Sequence, residues 1–307
     1  MSSAAPSGVL LVDKPQGLTS HDVVARIRRA ANTRKVGHAG TLDPMATGLL
    51  IVGLGTATRL LTHVVGTDKV YEATIRLGQA TVTDDAEGEI TAQADAGAVG
   101  AVSDDEIATG IRALTGPIEQ VPSTVSAIKV DGKRAYARAR AGEEVELKPR
   151  PVTIHAFELR AARRMPGLID LDVRVACSSG TYVRALARDL GAGLGVGGHL
   201  TRLRRTSVGP FEVAAATPLE SLADAGVAVA DALIDPADAA ARLFPTLALD
   251  AQQAIDLGQG KKLSVGATDS PGIRAAIDPT GHLVALAAVS ARGVVRVETG
   301  FPTRQES

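Results

Sequence analysis

The chain has 307 residues, is 45% hydrophobic and 22% charged, and carries a formal net charge of -1. That composition excludes a disordered or wholly basic polypeptide and leaves room for one large domain plus a smaller one. The single cysteine, Cys177, excludes an internal disulfide and a cysteine-based metal site, which points to a reducing compartment and a cytoplasmic protein.

The opening "MSSAAPSG" lacks the layout of a signal peptide, so residues 1–7 are expected to form a loose tail. "GVLLVDKPQGLTSHDVV" reads as a short strand, a turn at Pro15-Gln16-Gly17 and a helix. Ser20 is the expected N-cap, with Val23, Val24 and Ile27 facing inward and Arg26, Arg28 and Arg29 outward. "VGHAGTLDPMATGLL" (36–50) is a constrained, glycine-rich turn that leads into "LLIVGLG" (49–55), an apolar run suited to a strand buried on both faces. "VYEATIRLG" (70–78) alternates, placing Tyr71, Ala73, Ile75 and Leu77 on one face. Ser103 and Glu106 form a capping-box pattern ahead of Ile107, Ile111 and Leu114.

Residues 129–150 are basic with few large apolar side chains and read as an excursion from the core. "LIDLDVRVACSSG" alternates as a strand, and "TYVRALARDLG" follows as a helix expected to end at Gly191. After "TPLESL" an Ala- and Asp-rich stretch runs to about residue 240, followed by a short helix and strand-like runs such as "HLVALAAVS" and "GVVRVETGF". These predict a small, mostly β C-terminal domain.

Charge is segregated. Acidic residues gather at 83–89, 103–106 and 220–240, basic ones at 26–35, 129–150 and in "RLRR" (202–205). Such a pattern gives a near-neutral protein a basic face, unless the runs are only solvated helix surfaces. Only 2% of residues are aromatic, so the three tyrosines, Tyr71, Tyr136 and Tyr182, stand out.

Two residues suggest chemistry. Asp43 precedes Pro44, which pushes it toward an extended backbone; it is either an Asx-turn former or a carboxylate aimed at a ligand. Arg184 falls in the first turn of its helix, where the macrodipole disfavours a cation, so it calls for a partner. A carboxylate in a cleft would serve, held ionised and oriented by the guanidinium; a surface ion pair is the plainer alternative.

"GHAGTLDPMATGLL" resembles the signature of the TruB class of pseudouridine synthases, which act on uridine 55 of tRNA. "DKPQGLTSHDVV" (13–24), "DKVYEATIRLG" (68–78), "PSTVSAIKVDGKRAYARARAG" (122–142), "CSSGTYVRALARDLG" (177–191) and "HLTRLRRTSVG" (199–209) are similar to further family segments in the same order. The resemblance implies an α/β (α+β) fold: a mixed, largely antiparallel sheet with flanking helices, plus a small PUA-like C-terminal domain. By the same resemblance Asp43 is the catalytic nucleophile, Arg184 its ion-pair partner, and Tyr71 the residue that stacks on the base and serves in proton removal. His38, which alone would read as loop-structural, is implied to stack inside the opened T-loop, and Leu203 to line the uracil pocket. Ala39 stands where many relatives carry threonine. Lys14 and Pro15 match a motif that supports the floor of the site, and Tyr182 is a further candidate RNA contact.

The expected organisation is a tail at 1–7, a catalytic domain at 8–240 with a thumb-like insertion at about 122–150, and a PUA-like domain at 241–307. Lys129, Lys133, Arg134, Arg138 and Arg150 in the insertion are candidate phosphate contacts, and Lys261 and Lys262 candidate acceptor-stem contacts. The isomerisation involves no redox change and no departing group, so no cofactor or metal is expected. The implied partner is tRNA through its T-stem-loop, with no membrane, guide RNA or obligate protein partner, and a monomer is expected. Two other functions fit in part. One is an RNA-folding factor with secondary catalysis. The other is an aspartate-nucleophile glycosidase, disfavoured because no second carboxylate lies near Asp43 in sequence.

Overall fold

The computed structural model describes residues 6–123, 129–130, 133–134, 148–223 and 229–302. It divides into two units. One comprises Met1–Leu42, Leu49–Val65 and Gly209–Ser307, the other Asp43–Gly48 and Gly66–Val208.

The second unit is built on the alternating strand Lys69–Leu77, which sends Tyr71, Ala73, Ile75 and Leu77 into the core. Thr74, on the other face, is buried as well, and its hydroxyl donates to Asp172 at 2.6 Å. The strand order is Gly198–Val208, Lys69–Leu77, Leu168–Cys177, Arg150–Met165 and Gly116–Gln120, each neighbour antiparallel. Thr47 and Gly48 add alongside Arg204 and Arg205 in parallel, which makes the sheet mixed. The helices Ala96–Ala101, Asp104–Ala113 and Val183–Gly193 pack on these strands. The Ser103 capping box forms as its sequence predicts, with Glu106 N donating to Ser103 Oγ at 3.2 Å and Ser103 N to Glu106 Oε2 at 2.8 Å.

The helix Val183–Gly193 runs two residues beyond the expected end at Gly191. Gly191 is a packing glycine instead: a Cβ there would lie 2.2 Å from the backbone of Gly197 and Gly198. Within residues 122–150, the backbones of Lys129–Val130 and Lys133–Arg134 pair antiparallel. Their side chains, and Tyr136 and Arg138, lie outside the described residues. Arg150, at the boundary of that stretch, is exposed at the start of the strand Arg150–Met165.

In the first unit, Gly8–Lys14 lies between Thr217–Pro218 and the strand Thr47–Leu54, whose residues 49–54 are all buried. Val36–Ala39 pairs antiparallel with that strand, His38 opposite Val52. The N-cap of the helix Ser20–Ala30 is Thr19, not Ser20: Thr19 and Asp22 form the capping box. Ser20 is buried because its hydroxyl has another use, accepting from Leu42 N at 2.8 Å and donating to Leu42 O at 3.2 Å.

The same unit contains the expected small β element. Its order is Thr246–Ala248, Gly272–Ile277, Leu283–Val289, Val294–Gly300 and Leu263–Ser264, with the helix Ala251–Gly258 alongside. Leu249, Leu257, Val284, Val289 and Val295 fill its core. No described helix is long and apolar enough to cross a membrane.

Candidate active site

Asp43 opens a four-residue turn. Pro44 takes the second position, and Ala46 N donates to the Asp43 carbonyl at 3.1 Å. The chain then docks on the sheet through Thr47 and Gly48. Gly48 has φ +97°, and a Cβ there would lie 2.3 Å from the Arg205 carbonyl oxygen, so both conformation and space demand glycine.

The turn delivers the Asp43 carboxylate to Arg184. Arg184 Nε lies 3.1 Å from Asp43 Oδ2. Its Nη1 lies 3.2 Å from Asp85 Oδ2 and donates to the Thr83 carbonyl at 2.8 Å. The Arg184 side chain is 5% exposed and that of Asp85 3%, whereas Asp43 is 39% exposed. A buried cation is thus gripped from the inside by one carboxylate and presents the other to solvent. Guanidinium geometry suits this, because its donors are fixed in a planar fork.

Asp85 is itself oriented by its turn. Its Oδ1 accepts from Thr83 Oγ1 at 2.5 Å and from Glu87 N at 3.0 Å. Glu87 sits close enough to Asp85 and Asp43 to feel both charges; burial first, then these two carboxylates, push its carboxyl above the usual range. Asp84 takes φ +59° in the same turn and meets Arg188 at 3.3 Å. The expectation that Asp43 has no second carboxylate nearby is therefore wrong: the 83–89 run folds inward, and Asp85 shares Arg184 with it.

Tyr71 is buried, and Asp43 is near enough to act on its hydroxyl electrostatically. Burial pushes the Tyr71 hydroxyl pKa up, opposed by the charge and hydrogen bond of Arg205. Leu203 and Arg205 lie two apart on the neighbouring strand, opposite Ala73 and Tyr71 in register, so the four share a face. Leu203 is buried, and its carbonyl accepts from Thr47 Oγ1 at 3.5 Å.

The helix carrying Arg184 starts at Tyr182, whose backbone is held by the buried Gln120 side chain. Tyr182 N donates to Gln120 Oε1 at 2.8 Å, and Gln120 Nε2 to Tyr182 O at 3.1 Å. His38 and Lys14 belong to the other unit. The His38 ring stands edge-on to His21 at 5.5 Å between centroids. Lys14 is fully buried and donates to the carbonyls of Pro15 and Leu18 at 3.0 and 2.7 Å, bracing the turn after its strand. Lys261 pairs with Asp256 at 2.7 Å. Among the described residues, no group of three or more His, Cys, Asp or Glu side chains could hold a metal ion.

Sequence reasoning missed Asp85 and Arg205. Asp85 was hidden in an acidic run that looks like surface. Arg205 left a usable trace, since it stands two residues after an inward leucine on a strand.

The chain matches the family described as TruB family pseudouridylate synthase (N terminal domain) over residues 28–183. It also matches the tRNA pseudouridylate synthase B C-terminal domain over 184–242, and tRNA Pseudouridine synthase II, C terminal, over 244–297. A tRNA pseudouridine synthase B of Leifsonia xyli subsp. xyli is 61% identical, covering 91% of this chain and 92% of its own. One of Paenarthrobacter aurescens is 55% identical, covering 92% and 91%. The structure of an H/ACA RNP bound to a substrate RNA containing 2'-deoxyuridine superposes with a TM-score of 0.71 at 26% identity, covering 97% of this chain and 86% of that one. With the family matched across more than half of the chain and near relatives aligned almost end to end, the chain belongs to the TruB family of pseudouridylate synthases.

Proposed function

We propose that this enzyme isomerises uridine 55 in the T-loop of tRNA to pseudouridine, acting without a guide RNA or an obligate protein partner. The observation that carries the reading is the half-exposed Asp43 carboxylate, held by buried Arg184 in a turn that also neighbours Tyr71. The reaction breaks the N1–C1′ bond, turns the base, joins C5 to C1′ and moves one proton from C5 to N1. Asp43 serves as nucleophile, Arg184 fixes its orientation, and Tyr71 receives the C5 proton. Leu203 packs on the uracil, and His38 stacks in the T-loop left open when the base is flipped, a step that costs a few kcal/mol of stacking.

Residues 8–240 form the catalytic domain in this reading, and 241–307 a PUA-like domain that touches the acceptor stem through Lys261 and Lys262. The insertion at 122–150 closes on T-stem phosphates through Lys129, Lys133, Arg134, Arg138 and Arg150, and Tyr182 adds a contact beside the site. Lys14 supports the floor. A cytoplasmic location fits a tRNA substrate and a chain with one cysteine.

Incubating purified Asp43→Asn protein with an unmodified tRNA transcript, then mapping pseudouridine, tests the chemistry. We expect no product, with tRNA binding nearly intact; turnover by the variant would refute the nucleophile assignment. A bare T-stem-loop is expected to be converted by the wild type. Dependence on an added guide RNA would refute the stand-alone reading, and tRNA refolding by Asp43→Asn protein would measure any separate folding role.

A further inference from the structure

Arg205 is 1% exposed and heads the fully buried side chains by volume. A guanidinium taken out of water is costly unless its surroundings compensate, and a fold built from Val, Leu, Ile and Ala has no general need of one in this place. Its surroundings are specific. It faces Tyr71 across an antiparallel pair, and its side chain hydrogen-bonds the Tyr71 hydroxyl. Its own backbone pairs with Gly48, the residue that docks the Asp43 turn, and that approach leaves no space for a Cβ. One residue thus touches Tyr71 with its side chain and the end of the Asp43 turn with its backbone.

We propose that Arg205 is a positioning residue of the reaction, holding the Tyr71 hydroxyl in register with the Asp43 turn as acceptor for the proton that leaves C5. The inference rests on the reading of Tyr71 as the residue of proton removal. In that step the Tyr71 oxygen, as phenolate, takes the C5 proton, and the C–H electron pair re-forms the C5–C6 double bond while the C6–N1 π pair withdraws onto N1. The phenol then returns its proton through solvent as N1 acquires one, so the exchange needs no other reactant.

The charges around Tyr71 support this. A second buried cation, Lys69, stands two residues before it on the same strand and same face. Burial, and then repulsion by Arg205, bring the Lys69 amine down to about 8. A cation beside the hydroxyl favours its anion, and Arg205 is the group that opposes the burial, the Cys177 thiol and the Asp43 carboxylate, which together hold the Tyr71 pKa above its ordinary value.

The test compares Arg205→Met, Arg205→Lys and Tyr71→Phe, by single-turnover pseudouridine formation at saturating tRNA and by NMR of protein labelled with ¹³Cζ-tyrosine. With three tyrosines in the chain, the Tyr71 resonance is the one lost in Tyr71→Phe. Arg205→Met is expected to slow the single-turnover step by about 10²-fold, with tRNA affinity nearly unchanged and the Tyr71 resonance displaced. Arg205→Lys should recover part of the rate. A wild-type rate in Arg205→Met overturns the proposal, as does a slow variant whose Tyr71 resonance has not moved. Should Arg205→Met fail to fold, Arg205→Lys decides on the same two readouts: a slowed rate with a displaced resonance supports the proposal, and either one unchanged overturns it. Full activity in Tyr71→Phe would instead remove the underlying reading of Tyr71. A slow Tyr71→Phe beside fast Arg205 variants would remove only the role of Arg205.

Discussion

Arg184 works because its two carboxylates are unequal. Asp85 is buried with it, and Asp43 faces solvent. The inner pair sets where the guanidinium sits; the outer pair then sets where Asp43 points. Asp85→Asn keeps an oxygen for Thr83 and Glu87 but removes the inner charge. Breaking a buried pair commonly costs 3–5 kcal/mol; here Asp43 and the Thr83 carbonyl still hold the arginine, so a loss of about 2 kcal/mol is expected. Denaturant unfolding would measure it, and the catalytic rate should fall along with stability. An equally stable, equally fast variant would mean that Asp43 alone fixes Arg184. Of the outer half, the sequence showed the two members, while their pairing was what the family resemblance implied. A proline after Asp43 and an arginine at a helix start are local signals, and they converge in space. The inner half was not legible, because burial of Asp85 depends on a turn through Asp84 in a left-handed conformation, which an acidic run does not announce.

Among the strands, polar cross-links do what apolar packing does on the other face. Asp172 accepts from Thr74 on one neighbouring strand and pairs with Arg163 on the other. Beside it Asp170 makes a two-pronged pair with Arg76 at 2.7 and 2.8 Å. The Arg163 hydrogen bond, with help from Thr74, holds the Asp172 carboxyl down to about 2. A carboxyl depressed on folding stabilises the native state above its ordinary value, and the contribution fades as pH falls through the folded value. At neutral pH, Asp172→Asn should therefore be less stable, by on the order of 1 kcal/mol, since Arg163 is largely solvated. The gap to wild type should close as unfolding is repeated from about pH 5 toward pH 2. A gap constant with pH would show that the hydrogen bonds, and not the charge, carry the effect. Strands and caps of this kind could be read from local pattern: the alternation around Tyr71 and the Ser103–Glu106 pair both need only neighbours in sequence. The Thr19 cap was displaced onto Ser20 in the reading because two hydroxyl residues adjoin, and what separates them is that Ser20 is engaged by Leu42, far along the chain.

For the molecule as a whole, a net charge of -1 means that affinity for a polyanion must come from where the charges lie. Part of the acidic complement is turned inward or neutralised: Asp84 and Asp85 meet Arg188 and Arg184, and Asp170 and Asp172 meet Arg76 and Arg163. Residues 129–150 carry seven Lys and Arg against four acidic residues, Asp131, Glu143, Glu144 and Glu146, so cations are in excess there. Cations that meet phosphates release counterions, and each contact steepens the fall of log affinity with log salt by about 0.7–0.9. Replacing Lys133, Arg134 and Arg138 together by glutamine should weaken tRNA binding and flatten that slope by about 2. At saturating tRNA the rate of pseudouridine formation should stay near that of the wild type, because none of the three is assigned to the site around Asp43. Affinity measured across a salt series separates this from a folding defect, which would weaken binding at every salt concentration without changing the slope. A triple variant with the wild-type slope would show that RNA is held elsewhere, and would move attention to the basic residues at 26–35 and 202–205.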